Sequence, residues 1–241
     1  MAMRSFVGVA FAGVCAFGCA SAAPAIPDAE LDRLGEPTLA IVDRARGALT
    51  SAEEQRDRAV RRRDEARRQL LVAEPAVEPA DAHLVGARAG LDAAKASGDP
   101  GRIDLAERQL ERARLFGEEE LSKRDYLRRE LRLREGEVSL AKRRVELARA
   151  QLEEAKLMTL RQAHDPAADR YDLGRFQASV RDRWNAFVAE RERLHGEEGP
   201  TRTAFERWLA LRRDLVARQG LVPARGGDGA PTQPAAPGAL P

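Results

Sequence analysis

The chain has 241 residues, a net charge of +2 and 33% charged residues, and only 5% of its residues are aromatic. Acidic and basic residues are interleaved, which excludes a basic face for a nucleic acid and is typical of a solvated helical surface. Arginine, alanine, glutamate and leucine dominate, as in long helices, and no alternating pattern predicts a strand. We therefore expect an all-α protein.

The N-terminus predicts an export signal, because a basic start is followed by an apolar run over residues 5–18 that is too short to span a bilayer. Two cleavage sites remain open. Ala16-Phe17-Gly18-Cys19 resembles the lipobox of bacterial lipoproteins, although the leucine preferred three residues before the cysteine is missing. Cleavage there makes residues 1–18 the signal and Cys19 the lipidated residue. Cleavage after Ala22, in a small-x-small site, instead gives a soluble periplasmic or secreted protein.

Both cysteines, Cys15 and Cys19, lie in this N-terminal segment. The mature chain therefore cannot form an internal disulfide or use a cysteine nucleophile. Residues 19–36 are rich in alanine and proline and predict a tether, with a helical turn around residues 28–34.

Residues 37–163 predict a long antiparallel two-helix coiled-coil hairpin with its tip at residues 97–101. In the first arm every heptad d position from Ala45 to Ala94 is alanine, and large residues recur at a. The register continues through Pro75 and Pro79, which predicts a kink or a short irregular stretch there.

The second arm starts at Ile103 and repeats the pattern, with a poor patch over residues 117–124. Folding at the tip places large residues opposite alanines, for example Leu91 with Ala106 and Val145 with Ala52. Such layers allow two helices to pack closely. Pairing of the same helices between chains is the alternative.

The chain after the hairpin predicts two shorter helices within residues 164–219. Pro166 ends the second arm. The first short helix covers residues 172–194 and the second covers 201–219, separated by the Gly-Pro-containing stretch 196–200 and started by a cap from Thr201 or Thr203. Residues 220–241 are rich in glycine, proline and alanine, and predict a disordered tail.

A second apolar stripe lies away from the a/d seam of the second arm. It must be covered by the C-terminal helices, a second copy of the chain or a partner, so a homo-oligomer is one open reading. In the simpler interpretation the stripe packs onto the C-terminal helices of the same chain. In the more specific interpretation it forms a docking surface for a partner. The stripe and the two tryptophans of the C-terminal helices form the candidate partner surface: Tyr126, Leu133, Leu140, Leu147, Trp184 and Trp208.

Signatures of catalysis are missing from the sequence. It contains no phosphate-binding loop, dinucleotide fingerprint, nucleophile elbow or paired-histidine zinc spacing. His83, His164 and His195 lie far apart in the sequence, and His164 with Asp165 is explained by turn chemistry. We therefore expect no catalytic residues, no cofactor and no metal site, and we do not expect an enzyme.

At the level of architecture the chain resembles bacterial cell-envelope coiled-coil lipoproteins, through its lipobox-like signal, its tether and its long alanine-rich helices. The resemblance implies a lipid-anchored periplasmic rod that acts as a structural spacer or adaptor, with the membrane as one partner. Ala20 stands where an aspartate would resemble an inner-membrane retention signal, which favours the outer membrane. The alternatives are a soluble periplasmic chaperone that binds unfolded clients, and the adaptor hairpin of an efflux or secretion assembly.

Overall fold

The computed structural model describes residues 24–219, and every regular element of this range is helical, which confirms the all-α expectation. The export signal, Cys19, both cleavage sites and the tail at residues 220–241 lie outside the described residues. No helix of the described range is long and apolar enough to cross a bilayer. The elements in chain order are a 3₁₀ turn at Asp28–Glu30, α1 at Glu36–Ala73, α2 at Val77–Ser97, α3 at Pro100–Gln162, a second 3₁₀ turn at Pro166–Arg170 and α4 at Leu173–Gln219.

The first arm of the predicted hairpin is two helices, interrupted at residues 74–76, where the prolines predicted an irregular stretch. Pro79 lies in the first turn of α2, where a backbone N–H is not needed by the helix. The alanine repeat faces inward on both sides of the break, since Ala52 and Ala80 are fully buried. The heptad pattern thus identifies the buried face of α1 and α2 even though it does not show where one helix stops.

The turn between α2 and α3 is built from three residues with distinct roles. Gly98 ends α2 with a φ of 69°, a left-handed conformation that glycine adopts without strain. The Asp99 side chain then accepts a hydrogen bond from the backbone N–H of Gly101 at 2.9 Å and caps α3. Pro100 occupies the first position of α3, where its fixed φ suits a helix start.

A turn similar to the one at Gly98 and Asp99 follows α3. His164 has a φ of 54°, and the Asp165 side chain accepts a hydrogen bond from the N–H of Ala167 at 2.8 Å. Asp172 caps α4 in the same way, through the N–H of Gly174. Asp165 and His164 therefore serve in the turn, as their position before Pro166 indicates.

The prediction of two short C-terminal helices is wrong, because α4 runs without interruption from Leu173 to Gln219 with Pro200 inside it. Neither Thr201 nor Thr203 caps a helix start. Their hydroxyl groups donate back to the carbonyl oxygens of Glu197 and Gly199, within the helix. Pro200 and Gly196 are exposed, so the carbonyl that loses its helical donor remains open to water.

The structure divides into two compact units. Unit 1 contains the described residues up to Leu49 together with Glu146–Asn185. Its core lies where the start of α1, the end of α3 and the start of α4 meet, and its largest fully buried side chains include Ile26, Leu157 and Phe176. Unit 2 contains Thr50–Val145 and the chain from Ala186 onward. Three apolar clusters of unit 2 follow α3 along its length.

The predicted tether is wrong over residues 24–35, because this segment is part of unit 1 and packs into its core. Ile26 and Leu31 are 1% and 2% exposed, and both belong to the core of that unit. The alanine and proline content suggested a spacer, but two large apolar side chains in a short segment are enough to fix it on a core. We call residues 24–35 the strap.

Candidate functional site

The predicted apolar stripe of α3 is buried along its whole length. Tyr126, Leu133, Leu140 and Leu147 are between 6% and 9% exposed. In unit 2, Leu133 and Leu140 pack with Leu194 and Phe187 of α4. In unit 2 the stripe therefore packs on the C-terminal helix, as the simpler interpretation of the sequence predicts. A docking role for the same residues stays a prediction.

An aromatic cluster covers the N-terminal end of this stripe. The ring of Tyr126 stacks on Trp208, with centroids 5.5 Å apart and planes inclined by 9°, and Phe205 lies 5.1 Å from Tyr126. Burial raises the pKa of Tyr126 to about 12, and the nearby charge of Glu130 acts in the same direction. The tyrosine hydroxyl therefore stays protonated at neutral pH and acts as a packing group.

Trp208 also ties the cluster to buried carboxylates on α3. Its indole N–H donates to a carboxylate oxygen of Glu119 at 2.6 Å, and the guanidinium of Arg212 lies over the indole ring, 5.7 Å from its centroid. The adjacent Glu120 is also buried, and one of its oxygens has no hydrogen-bond partner. Burial raises the pKa of Glu120, which Lys123 at 3.6 Å opposes.

Trp184 belongs to unit 1 and is 50% exposed, whereas Tyr126, Phe205 and Trp208 of the aromatic cluster belong to unit 2. Of the six predicted surface residues, it is the one with the most accessible side chain. Among the described residues of unit 2, the exposed large apolar side chains are those of Leu71, Val72, Val85, Leu105 and Leu121.

The three histidines take separate structural roles. The ring of His83 meets Phe116 edge to face, with centroids 6.2 Å apart. His164 lies in the turn after α3, and His195 contacts Glu198 on the surface of α4. Within residues 24–219, no group of three or more histidine, cysteine or acidic side chains is placed to hold a metal ion.

Two small depressions lie in unit 2. The first holds about 260 Å³ and is lined mainly by charged side chains of α3 and α4 around Gly136 and Leu194. The second holds about 210 Å³ between α1 and α3. Both are smaller than the usual 300–1,000 Å³ of small-molecule sites, and neither has an apolar lining of the kind that such sites use.

The sequence did not indicate the polar grip that holds the strap. Glu153 accepts the backbone N–H of Ile26 at 2.7 Å, and Lys156 donates to the carbonyl oxygen of the same residue at 3.0 Å. Lys156 also pairs with Asp28 at 2.8 Å and with Glu153 at 3.1 Å. The one available signal was the pair of large apolar residues, Ile26 and Leu31, in an otherwise alanine- and proline-rich segment.

The helices of this chain thus present buried seams, an aromatic cluster and a docked N-terminal strap. No protein family, curated protein or solved structure matches the chain.

Proposed function

We propose that this protein is a non-catalytic helical spacer or adaptor of the bacterial cell envelope, anchored in the outer membrane through a lipid on Cys19. The observation that carries the proposal is the burial of α3. This 63-residue helix measures about 95 Å along its axis. Both its heptad seam and its second stripe include buried side chains, for example Val138 and Leu140. These two faces of α3 are used for helix packing, which suits a protein that links or spaces other molecules.

The proposed architecture is an antiparallel hairpin of α1 and α2 against α3. Three contacts within unit 2 support it: Leu91 and Ala94 pack with Ala106, Glu74 pairs with Arg128 at 3.1 Å, and Arg62 pairs with Glu137 at 3.2 Å. As the position on the first arm moves back from residue 91 to residue 62, its partner on α3 moves forward. This is the order of contacts in an antiparallel pair. Cysteines at Ala52 and Val145 should cross-link within one chain in this register.

Membrane flotation of the wild type beside Cys19→Ala tests the anchor. We expect the wild type to float with outer-membrane vesicles and the Cys19→Ala chain to stay soluble. If both chains are soluble and begin near Ala23, the lipid anchor is wrong. The non-catalytic part of the proposal predicts a melting temperature that a screen of metabolites and metal ions does not change.

A soluble chaperone that binds unfolded envelope proteins is the second candidate. It is favoured by apolar side chains exposed on unit 2, since Val72, Val85 and Leu105 are 76%, 66% and 52% exposed. This reading predicts that the protein suppresses the aggregation of an unfolded outer-membrane protein and that Val72→Ser with Val85→Ser weakens the effect. Equal suppression by the wild type and the double variant would count against client binding at these residues.

A further inference from the structure

The strap is held by unit 1 through both of the backbone groups of one residue. Ile26 donates its N–H to Glu153 and accepts from Lys156 at its carbonyl oxygen. Glu153 and Lys156 lie one turn apart on α3, so the helix presents an acceptor and a donor to the two backbone groups of the same residue. The side chain of Ile26 is buried in the same place.

Lys156 and the strap depend on each other. The side chain of Lys156 is 9% exposed, and an ammonium group buried to this extent needs its three donors satisfied. The acceptors are the carbonyl oxygen of Ile26 at 3.0 Å, Asp28 at 2.8 Å and Glu153 at 3.1 Å. Two of these three come from the strap. Release of the strap would therefore remove two of the three acceptors of Lys156, so these contacts oppose release.

Further contacts extend the grip along the strap. Arg46 of α1 lies 3.4 Å from Asp28, and the Tyr171 hydroxyl donates to Glu30 at 3.2 Å. Leu31 closes the segment inside the core of unit 1. The strap is thus held by α1, by α3 and by the chain just before α4.

We infer that the strap keeps unit 1 close to the membrane surface, with the residues between Cys19 and the bound Ile26 as the leash. The inference rests on the proposed lipidation of Cys19. The chain from Cys19 to Ile26 reaches at most about 25 Å, whereas a tether that extended to the start of α1 would reach about 60 Å. The lipid surface therefore lies within about 25 Å of Ile26, and the strap prevents unit 1 from moving further away.

Energy transfer between a label on unit 1 and headgroup acceptors measures this distance. Gly47 is exposed, and a side chain added there meets no atom within 4 Å. It adjoins Arg46, which contacts the strap. In the lipidated chain Cys19 is blocked and Cys15 is removed, so Gly47→Cys provides a single free thiol. The labelled protein is reconstituted in vesicles of phosphatidylethanolamine and phosphatidylglycerol that carry the acceptor.

Two matched insertions distinguish a docked strap from a free tether. The same twelve-residue Gly-Ser segment is placed either between Ala22 and Ala23 or between Gly35 and Glu36. With a docked strap, the first insertion lengthens the leash by up to about 40 Å and lowers the transfer, whereas the second forms a loop behind the strap and leaves the transfer at the wild-type level.

An equal loss of energy transfer from both insertions would overturn the inference, because it would show that the strap does not stay bound to the core of unit 1. Transfer that neither insertion lowers would also overturn it, because the leash would then not set the distance. Failure of the proposed function has a different signature, since a chain without lipid does not float with the vesicles at all.

Discussion

Replacement of Pro200 by alanine is expected to stabilise the protein, because α4 continues through this proline as one helix. Proline lacks the N–H that would bond to the carbonyl oxygen of Gly196, and its ring crowds that carbonyl. In a helix interior alanine is more favourable than proline by about 3 kcal/mol. Pro200 is exposed, so its removal costs little packing. Since the helix has already adapted around the proline, we expect the free energy of unfolding to rise by about 1–3 kcal/mol.

Urea or thermal unfolding followed by circular dichroism measures this gain. A stability change of 1 kcal/mol shifts the melting temperature of a chain of this size by about 2–4 °C, so a rise of several degrees is expected. Pro79→Ala is the matched control. Pro79 is also exposed, but it lies in the first turn of α2, where its missing N–H has no helical partner to lose. Its replacement should leave the melting temperature close to that of the wild type.

The opposite result follows if the chain breaks between residues 196 and 200. A proline that fixes a turn restricts the unfolded chain, and its replacement by alanine then lowers stability. A melting temperature that is unchanged or lowered in Pro200→Ala would therefore refute the continuous helix.

Three further substitutions test buried polar groups. Trp208→Phe is expected to cost about 1.5–3 kcal/mol in urea unfolding, because the buried carboxylate of Glu119 loses its indole donor; an equal loss in Trp184→Phe, on a half-exposed side chain, would contradict this. Thr159→Val is expected to raise the free energy of unfolding by about 1 kcal/mol, because the buried hydroxyl has no hydrogen-bond partner. Thr159→Ser, which keeps the hydroxyl, should lower it, and scanning calorimetry of both variants measures the two changes. Glu120→Gln is expected to stabilise at neutral pH and to lose this advantage as the pH falls to the ordinary value of 4.5 and below. Because burial raises the pKa of Glu120, the folded chain binds its proton more tightly than the unfolded chain, and wild-type stability falls as pH rises from that value. A pH-independent difference between the two chains would refute this assignment.

The buried face of α1 and α2 could be predicted from the sequence, because a heptad repeat depends only on the spacing of residues along one helix. The alanines at d, such as Ala59 and Ala66, are buried as the repeat requires. The turn at Gly98 and Asp99 could also be predicted from the sequence. Glycine adopts the left-handed conformation that ends a helix, and aspartate caps the start of the next helix.

The sequence contains a periodic signal for the continuity of α4. Phe187, Leu194, Thr201, Trp208 and Leu215 follow each other at intervals of seven residues, and this phase passes through Pro200 unchanged. The heptad register of the first arm likewise continues through Pro75 and Pro79. A polar residue, Thr201, holds the position next to the proline and hid the repeat, although its side chain is buried.

The contacts of the second stripe and the strap needed three-dimensional information. The sequence required that Leu133 and Leu140 be covered, but periodicity cannot distinguish a covering helix of the same chain from a second molecule. Lys156 lies beside the heptad seam, where a lysine is usually a surface charge. Lys156 is a buried donor because it contacts Ile26 and Asp28, which lie more than a hundred residues earlier in the chain.

Two apparent defects of the heptad pattern explain each other. The first arm breaks at residues 74–76, and the second arm has its poor patch at residues 117–124. The structure places them in one region of unit 2, since Glu74 pairs with Arg128, and Ala73 packs in the cluster of Tyr126 and Trp208. Where the first arm is not helical, it offers no regular apolar face to α3. One polar residue of α3 in this region contacts α4 instead, since Glu119 accepts a hydrogen bond from the indole of Trp208. The aromatic cluster therefore lies beside the break between α1 and α2, where Phe205 and Trp208 of α4 supply apolar contacts to α3.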